Sequence, residues 1–261
     1  MRFGGELIHQ GHDAHGSIQI VQSHTLRSMH FGTSARQSTM QISRPSRLVL
    51  PYTRSLLAGL LFNPNPRSAL LLGLGGGSLP RFLRHYFPDC RLHVVELRGL
   101  VIELARRFFS IPAEDDLLQI THDDAAGFVS HCCRREGGYD LLIIDIDAPD
   151  IIGNPEFLFA CRQHLSGNGI VTLNIWNRHH PATGQLLETI GQLFGNRMRL
   201  LPVDNGTNLI AVAANTLFST WLSPSLSERA AQLAHHCGVE FPNMLQTLDM
   251  HSPQAERPQS W

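Results

Sequence analysis

Residues 141–159 read LLIIDIDAPDIIGNPEFLF, an apolar run that ends in Asp145, Asp147 and Asp150, with Glu156 shortly after. Carboxylates crowded together repel one another, and the repulsion falls when a cation enters among them. The same crowding raises the pKa of one acid toward the range of a useful general base. Cation binding and proton acceptance are therefore the two chemistries this stretch can carry. Aspartates also form turns and cap helices, a plainer role that fits Asp150 best and Asp145 least.

A second group is built around glycine. Gly73-Leu74-Gly75-Gly76-Gly77-Ser78 stands between a strand pattern and a helix pattern. There the chain can turn tightly, and a ligand can approach backbone N–H groups that the helix leaves free. The run misses the dinucleotide fingerprint GxGxxG, because its sixth position is Ser78. Glu96 follows Gly77 by 19 residues and closes the next strand, where a carboxylate can accept both hydroxyls of a ribose. Asp124, in THDDAAGF, follows the third strand. It either takes the amino group of an adenine or, with Asp123, caps the helix that follows.

Positioning these groups takes an alternation of strands and helices. Strand patterns fall at 68–75, 91–97, 117–123, 140–146 and 169–176, with amphipathic helices at 78–87 and 101–109 between them. The first of them, 68–75, is apolar on both faces, as in a parallel sheet. Ser78 is a candidate N-cap, with Pro80 tolerated in the first turn. Residues 197–215 read as two strands joined through Asn205-Gly206, a strong hairpin signal. A parallel sheet ending in a hairpin carries one antiparallel strand, which separates S-adenosylmethionine-binding sheets from ordinary dinucleotide folds.

Upstream, residues 17–42 alternate apolar and polar positions and turn at Gly32, which predicts β-hairpins. PYTRSLLAGLLFNPNP (51–66) predicts a short apolar helix stopped by its prolines. The organisation expected is a tail and small β-hairpin domain over 1–50, a nucleoside-binding Rossmann-like domain over 51–215, and a helical extension with a polar tail over 216–261.

With 261 residues, 43% of them hydrophobic, the chain can bury a large core. A net charge of −1 argues against broad binding to nucleic acid or an anionic membrane. No apolar run approaches a membrane span, so a cytoplasmic protein is expected. The five cysteines (90, 132, 133, 161 and 237) form no CxxC pair and read as free thiols. His9, His12 and His15 would share a face on a helix, but their Gly-rich segment reads as a frayed polar terminus, and no metal is expected.

From about residue 18 to residue 215 the sequence resembles the polyamine aminopropyltransferases, the spermidine synthase family. The strongest stretches are LLLGLGGGSLPRFLRHYFPDCRLHVVELRGLVIELARRFF and YDLLIIDIDAPDIIGNPEFLF. The second is similar to the family's YDxIIxDxxDPxGPAExLF, matching at Tyr139, Asp140, Asp145, Pro149, Gly153, Glu156, Leu158 and Phe159. The resemblance implies the family's fold: a methyltransferase-type α/β sheet preceded by a small β-domain. It implies decarboxylated S-adenosylmethionine as co-substrate, with no prosthetic group. Gln37, Gly73, Gly75, Gly77, Glu96 and Asp124 would line its site, with Glu96 on the ribose and Asp124 on the adenine. Tyr52 and Glu156 would face a cationic amine such as putrescine, and Asp145 and Asp147 would position and deprotonate it. A homodimer or higher oligomer is also implied.

Three positions depart from the family pattern. The acid usual in the glycine loop, which holds the donor's amine, is Gly75 here. The second acid of the DxxDP element is Ala148, with Asp147 one step away. The Tyr-His-Glu run before the first sheet strand is Tyr52-Thr53-Arg54. Gly75 leaves room for a second expectation, a methyltransferase using full S-adenosylmethionine. Ala148 and Thr53 leave room for a third, a nucleoside-binding homologue without activity.

Overall fold

The computed structural model describes residues 3–131, 136–176, 179–195, 197–204, 206–216 and 224–250. Its first sheet starts earlier than the alternation at 17–42 predicts. Strands β1 (Glu6–Asp13), β2 (Gly16–Gln22), β3 (Leu26–His30) and β4 (Ser38–Gln41) pair antiparallel in that order. Residues 6–13 are thus a strand, not the frayed terminus expected. The ladder from Glu6↔Gln22 to Asp13↔Gly16 is made by backbone groups. The side chains of β1 are mostly polar and stay exposed or half-exposed, so hydropathy carried little signal of it. His9 and His12 lie on this strand and His15 in the turn after it. Among the described residues, no group of three His, Cys, Asp or Glu is placed to hold a metal ion. Ile18, Ile20, Met29 and Met40 of this sheet share a core with Val101, Leu104 and Phe109.

Asp13, at the end of β1, accepts from Arg98 Nε at 3.0 Å and Nη2 at 2.8 Å. Arg98 also donates to the Gly16 carbonyl at 2.9 Å and lies over the Phe31 ring. The hydrogen bond from Arg98 holds the Asp13 carboxyl below its ordinary value of 3.8. A depressed pKa gives stability that is present above the unfolded value and lost as pH falls through the folded one. Asp13→Ala is expected to lower stability by about 2 kcal/mol at pH 7, the scale of a hydrogen bond to a charged group. The gap should close below about pH 4, near the unfolded carboxylate value. Urea denaturation at pH 7 and pH 3 measures both.

The segment at 51–61 is not one helix. A single α-turn, α1 (Pro51–Ser55), passes into a 3-10 helix over Leu56–Leu61. All six residues of the latter are buried, and a Cβ on Gly59 would stand 2.8 Å from a Leu141 methyl. Close seating on the sheet therefore shapes this segment.

The alternation that follows is β5 (Ser68–Leu72), α2 (Ser78–Tyr86), β6 (Arg91–Glu96), α3 (Gly99–Phe108), β7 (Leu118–His122) and α4 (Ala125–His131). It continues with β8 (Tyr139–Ile144), α5 (Pro149–Ile152), α6 (Pro155–Gln163), β9 (Leu165–Ile175) and α7 (Ala182–Phe194). The hairpin β10 (Met198–Pro202) and β11 (Leu209–Ala214) and the helices α8 (Pro224–Cys237) and α9 (Phe241–Met250) complete it. One seven-stranded sheet runs β10-β11-β9-β8-β5-β6-β7, and β11 alone runs opposite to the other six strands. This is the Rossmann-like methyltransferase-type sheet with a C-terminal antiparallel hairpin that the sequence predicts. Of the expected hairpin turn, Asn205 lies outside the described residues; Gly206 has φ +79° and donates to the Val203 carbonyl at 3.0 Å.

Both faces of the sheet are covered, which explains its continuous apolar strands. Leu70, Leu72, Leu142 and Ile144 pack beneath α4, α6 and α7. Ala69, Leu71, Leu141 and Ile143 face the opposite core with the 3-10 segment, α2, α3, α8 and α9. Cys90, Cys161 and Cys237 are buried; Cys132 and Cys133 lie outside the described residues. No described helix is long and apolar enough to cross a membrane. Successive strands proceed outward from β5 in both directions, so the order reverses between β5 and β8. In open α/β sheets, ligands bind at the carboxyl ends beside such a switch point.

Candidate active site

At the carboxyl end of β5 the chain enters the glycine loop through Gly73, at φ +102°. A Cβ there would stand 2.2 Å from the Asp145 carbonyl oxygen, so only glycine lets the two loops touch. Gly75 differs. Its φ is +52°, but a Cβ would meet only ordinary contacts, the nearest at 3.7 Å on Ser38. Gly77, not Ser78, takes the N-cap position of α2, and the Ser78 hydroxyl meets that of Ser38 at 3.2 Å. Arg81, buried in the first turns of α2, donates to the carbonyls of Gly76, Phe109 and Pro45. The glycine loop, the end of α3 and the segment after β4 are thereby tied to one guanidinium. Burial without a carboxylate partner lowers its pKa to about 10.

Glu96 closes β6 with its carboxylate against this loop. Leu74 N–H donates to Oε2 at 3.0 Å and Arg98 N–H to Oε1 at 2.9 Å. Each oxygen retains a further acceptor site. The next residue, Leu97, is 44% exposed, an apolar surface beside the acid. Asp124 caps α4: its Oδ2 accepts from Gly127 N–H at 2.8 Å, the plainer of its two expected roles.

The acids of 141–159 separate in space. Asp145, directly after β8, is half-buried, and its N–H donates to the Leu72 carbonyl at 2.8 Å. Asn174 of β9 donates to its Oδ1 at 2.8 Å, and Asn208, buried before β11, donates to Asn174 Oδ1 at 2.7 Å. Three adjacent strand ends thus contribute one amide–amide–carboxylate chain. The Tyr52 hydroxyl lies between the Gln37 carbonyl, at 3.0 Å, and the Asp145 carboxyl. Burial is the main reason that the Asp145 pKa rises to about 6. The Asn174 hydrogen bond opposes the rise, and Asp147 and Glu96 add to it. Burial, and then the charge of Asp145, push the Tyr52 hydroxyl well above its ordinary value. At neutral pH the arrangement is a phenol hydroxyl beside a carboxylate of raised basicity.

Asp147 is exposed, two residues beyond Asp145. Asp150 lies in the first turn of α5, whose N-cap is Ala148. Glu156 opens α6, exposed, with its N–H bonded to the Asn154 side chain. Thr53 is buried and donates to the Leu50 carbonyl. His180 Nδ1 accepts from Ala182 N–H at the start of α7. The fold therefore brings Tyr52, Gln37, Gly73, Glu96 and Asp145 together and leaves Glu156 on a separate helix. Asn174 and Asn208 were not read from the sequence, where uncharged amides 34 residues apart give no signal. Two surface depressions, of about 530 and 600 Å³, are lined by none of these side chains. Convergent polar groups mark the site.

No protein-family model matches the chain. The polyamine aminopropyltransferase of Chromobacterium violaceum is 30% identical over 246 residues, covering 93% of each chain. A probable spermidine synthase from Corynebacterium glutamicum superposes with a TM-score of 0.73 at 18% identity, over 98% of this chain and 99% of that one. A spermidine synthase solved with the transition-state analogue AdoDATO gives 0.65 at 22% identity, over 80% and 74%. The last two show a shared fold. The first, alike along nearly its whole length, shows the lineage: this chain is a transferase belonging to the polyamine aminopropyltransferase family.

Proposed function

We propose that the protein moves an aminopropyl group from decarboxylated S-adenosylmethionine to a primary amine of a polyamine acceptor such as putrescine. The observation that carries this reading is Asp145, raised to about 6 at the switch point and touching the glycine loop. The amine nitrogen attacks the methylene next to the sulfonium sulfur. The carbon–sulfur bond breaks, its electron pair passes to sulfur, and 5′-methylthioadenosine leaves as a neutral thioether. The acceptor amine arrives as an ammonium, and the Asp145 carboxylate accepts one proton from it, which frees the lone pair that attacks. The product nitrogen remains a secondary ammonium, and Asp145 returns its proton to solvent. Tyr52 and Asn174 hold that carboxylate in place.

On the donor side, Glu96 accepts from the ribose hydroxyls, and Leu97 offers an apolar face to the base. The free oxygen of Asp124 accepts from the adenine amino group. Gly73, Gly75, Gly77 and the nearby Gln37 border the donor. Asp147 and Glu156 add negative field for a dication, whose entry relieves their repulsion. A homodimer or higher assembly and a cytoplasmic location belong to the same reading. Formation of spermidine and 5′-methylthioadenosine from the two substrates tests it; a folded protein that turns over neither putrescine nor longer diamines sinks it.

Gly75 favours a second reading, in which full S-adenosylmethionine is the donor and a methyl group moves. The space at Gly75 accommodates a side chain, but its φ of +52° strains any residue other than glycine there, Asn and Asp least. Calorimetry with both donors separates the readings: under the first, the decarboxylated donor binds more tightly. Gly75→Asp is then expected to widen that preference about tenfold, the scale of one new charge-assisted hydrogen bond. Tighter binding of the full donor to the wild type would turn the assignment to methyl transfer.

A further inference from the structure

An ionised carboxylate only accepts hydrogen bonds, so a side chain that steadies Asp145 must present a donor to it. The Tyr52 hydroxyl has one proton and two acceptors for it, the Gln37 carbonyl and Asp145. Asn174 is the firmer donor, with its Nδ2 2.8 Å from Asp145 Oδ1. An amide can turn end for end, which would set its oxygen against the carboxylate. Which way it points follows from its other partners.

Those partners lie in the hairpin. Asn208, 4% exposed and directly before β11, donates from Nδ2 to Asn174 Oδ1 at 2.7 Å. The Thr207 hydroxyl donates to Asn208 Oδ1 at 3.2 Å. Donors and acceptors therefore alternate in one direction, from Thr207 through Asn208 and Asn174 to Asp145. Turning Asn174 would bring its NH2 against that of Asn208. Turning Asn208 would bring its oxygen against that of Asn174.

We propose that Asn208 is a positioning residue that acts through Asn174, holding its N–H toward Asp145 and thereby setting the basicity of that acid. Burial raises the Asp145 pKa most, and Asn174 is first among the groups that oppose it. Asp147 and Glu96 add to the rise, and Tyr52 opposes it. A base near 6, not higher, thus depends on one amide pointing one way. The part this plays in the reaction rests on the reading of Asp145 as the proton acceptor, and the test separates the two.

The first arm follows the acid itself. In protein carrying carboxyl-labelled aspartate, the Asp145 side-chain signal, identified by its loss in Asp145→Asn, is titrated by NMR. Its midpoint in the wild type is expected near 6. Asn208→Leu keeps the volume, removes the donor and should raise the midpoint by about one pH unit, the scale of a weakened hydrogen bond to a charged group. Asn208→Asp keeps the shape but accepts where Asn208 donates. It draws the Asn174 N–H groups to itself and adds a like charge, and should raise the midpoint by at least about two units. The second arm is kinetic: the rising limb of log kcat/KM against pH should move with the midpoint in each variant. A midpoint that moves without turnover, or without the limb, leaves Asn208 in its role and removes the reading of Asp145 as the base. Turnover with an unchanged midpoint in Asn208→Leu, or in Asn208→Asp should the first not fold, overturns the role of Asn208. Absence of both turnover and any movement of the midpoint overturns both.

Discussion

Asp145→Asn is expected to lower kcat by about a thousandfold, within the range for loss of a general base, and to leave donor affinity near that of the wild type. The amide fits the same place: its oxygen can accept from Asn174 and its nitrogen can face the Tyr52 oxygen. In the wild type only the ionised carboxylate accepts a proton. With a pKa near 6, log kcat/KM should rise with pH up to about that value and then flatten. The variant should lose this limb.

Stability should move in the opposite direction to activity. The folded pKa of Asp145 is raised above its unfolded value, so its contribution is fully present below the unfolded pKa and declines as pH rises through about 6. Asp145→Asn removes that decline. Denaturant titrations should find the variant more stable than the wild type at pH 8, with the difference shrinking toward pH 4. Activity within tenfold of wild type would transfer the base role to Asp147.

Glu96→Ala is expected to weaken donor binding at least about a hundredfold, because two charge-assisted acceptors for the ribose disappear. It also strands the N–H groups of Leu74 and Arg98, both now bonded to the carboxylate. A loss of about 2 kcal/mol in stability should accompany it. Glu96→Gln keeps one acceptor oxygen and should fall between. Calorimetry with 5′-methylthioadenosine reads the affinity; a change under threefold would show that the ribose is held elsewhere.

The parts of this molecule that were legible in its sequence are those in which burial writes a pattern. ALLL (69–72) and LLII (141–144) are apolar at every position because both faces are covered, and each is followed directly by a residue of the site. Charge made Asp145 and Glu96 legible at those ends. Strand β1 was not, since a ladder of backbone bonds asks little of side chains that stay half in water. Asp124 presented two roles to the sequence, and geometry shows the cap in use. Asn174 and Asn208 needed the register of β9 and β11 before an amide could be seen to lead to another.

The contact at Gly73 has a kinetic consequence. Its α-carbon rests against the Asp145 carbonyl, and Asp145 N–H is bonded back to Leu72, the residue before Gly73. The glycine loop and Asp145, to which the proposed function gives the donor and the acceptor respectively, are therefore joined by direct backbone contact. Under the proposed function, a shift of this loop on donor binding would move Asp145 as well, so an ordered sequence with the nucleoside first is the expected kinetic pattern. Specificity changes engineered at the glycines should accordingly be read in the acceptor's kinetics as much as in the donor's.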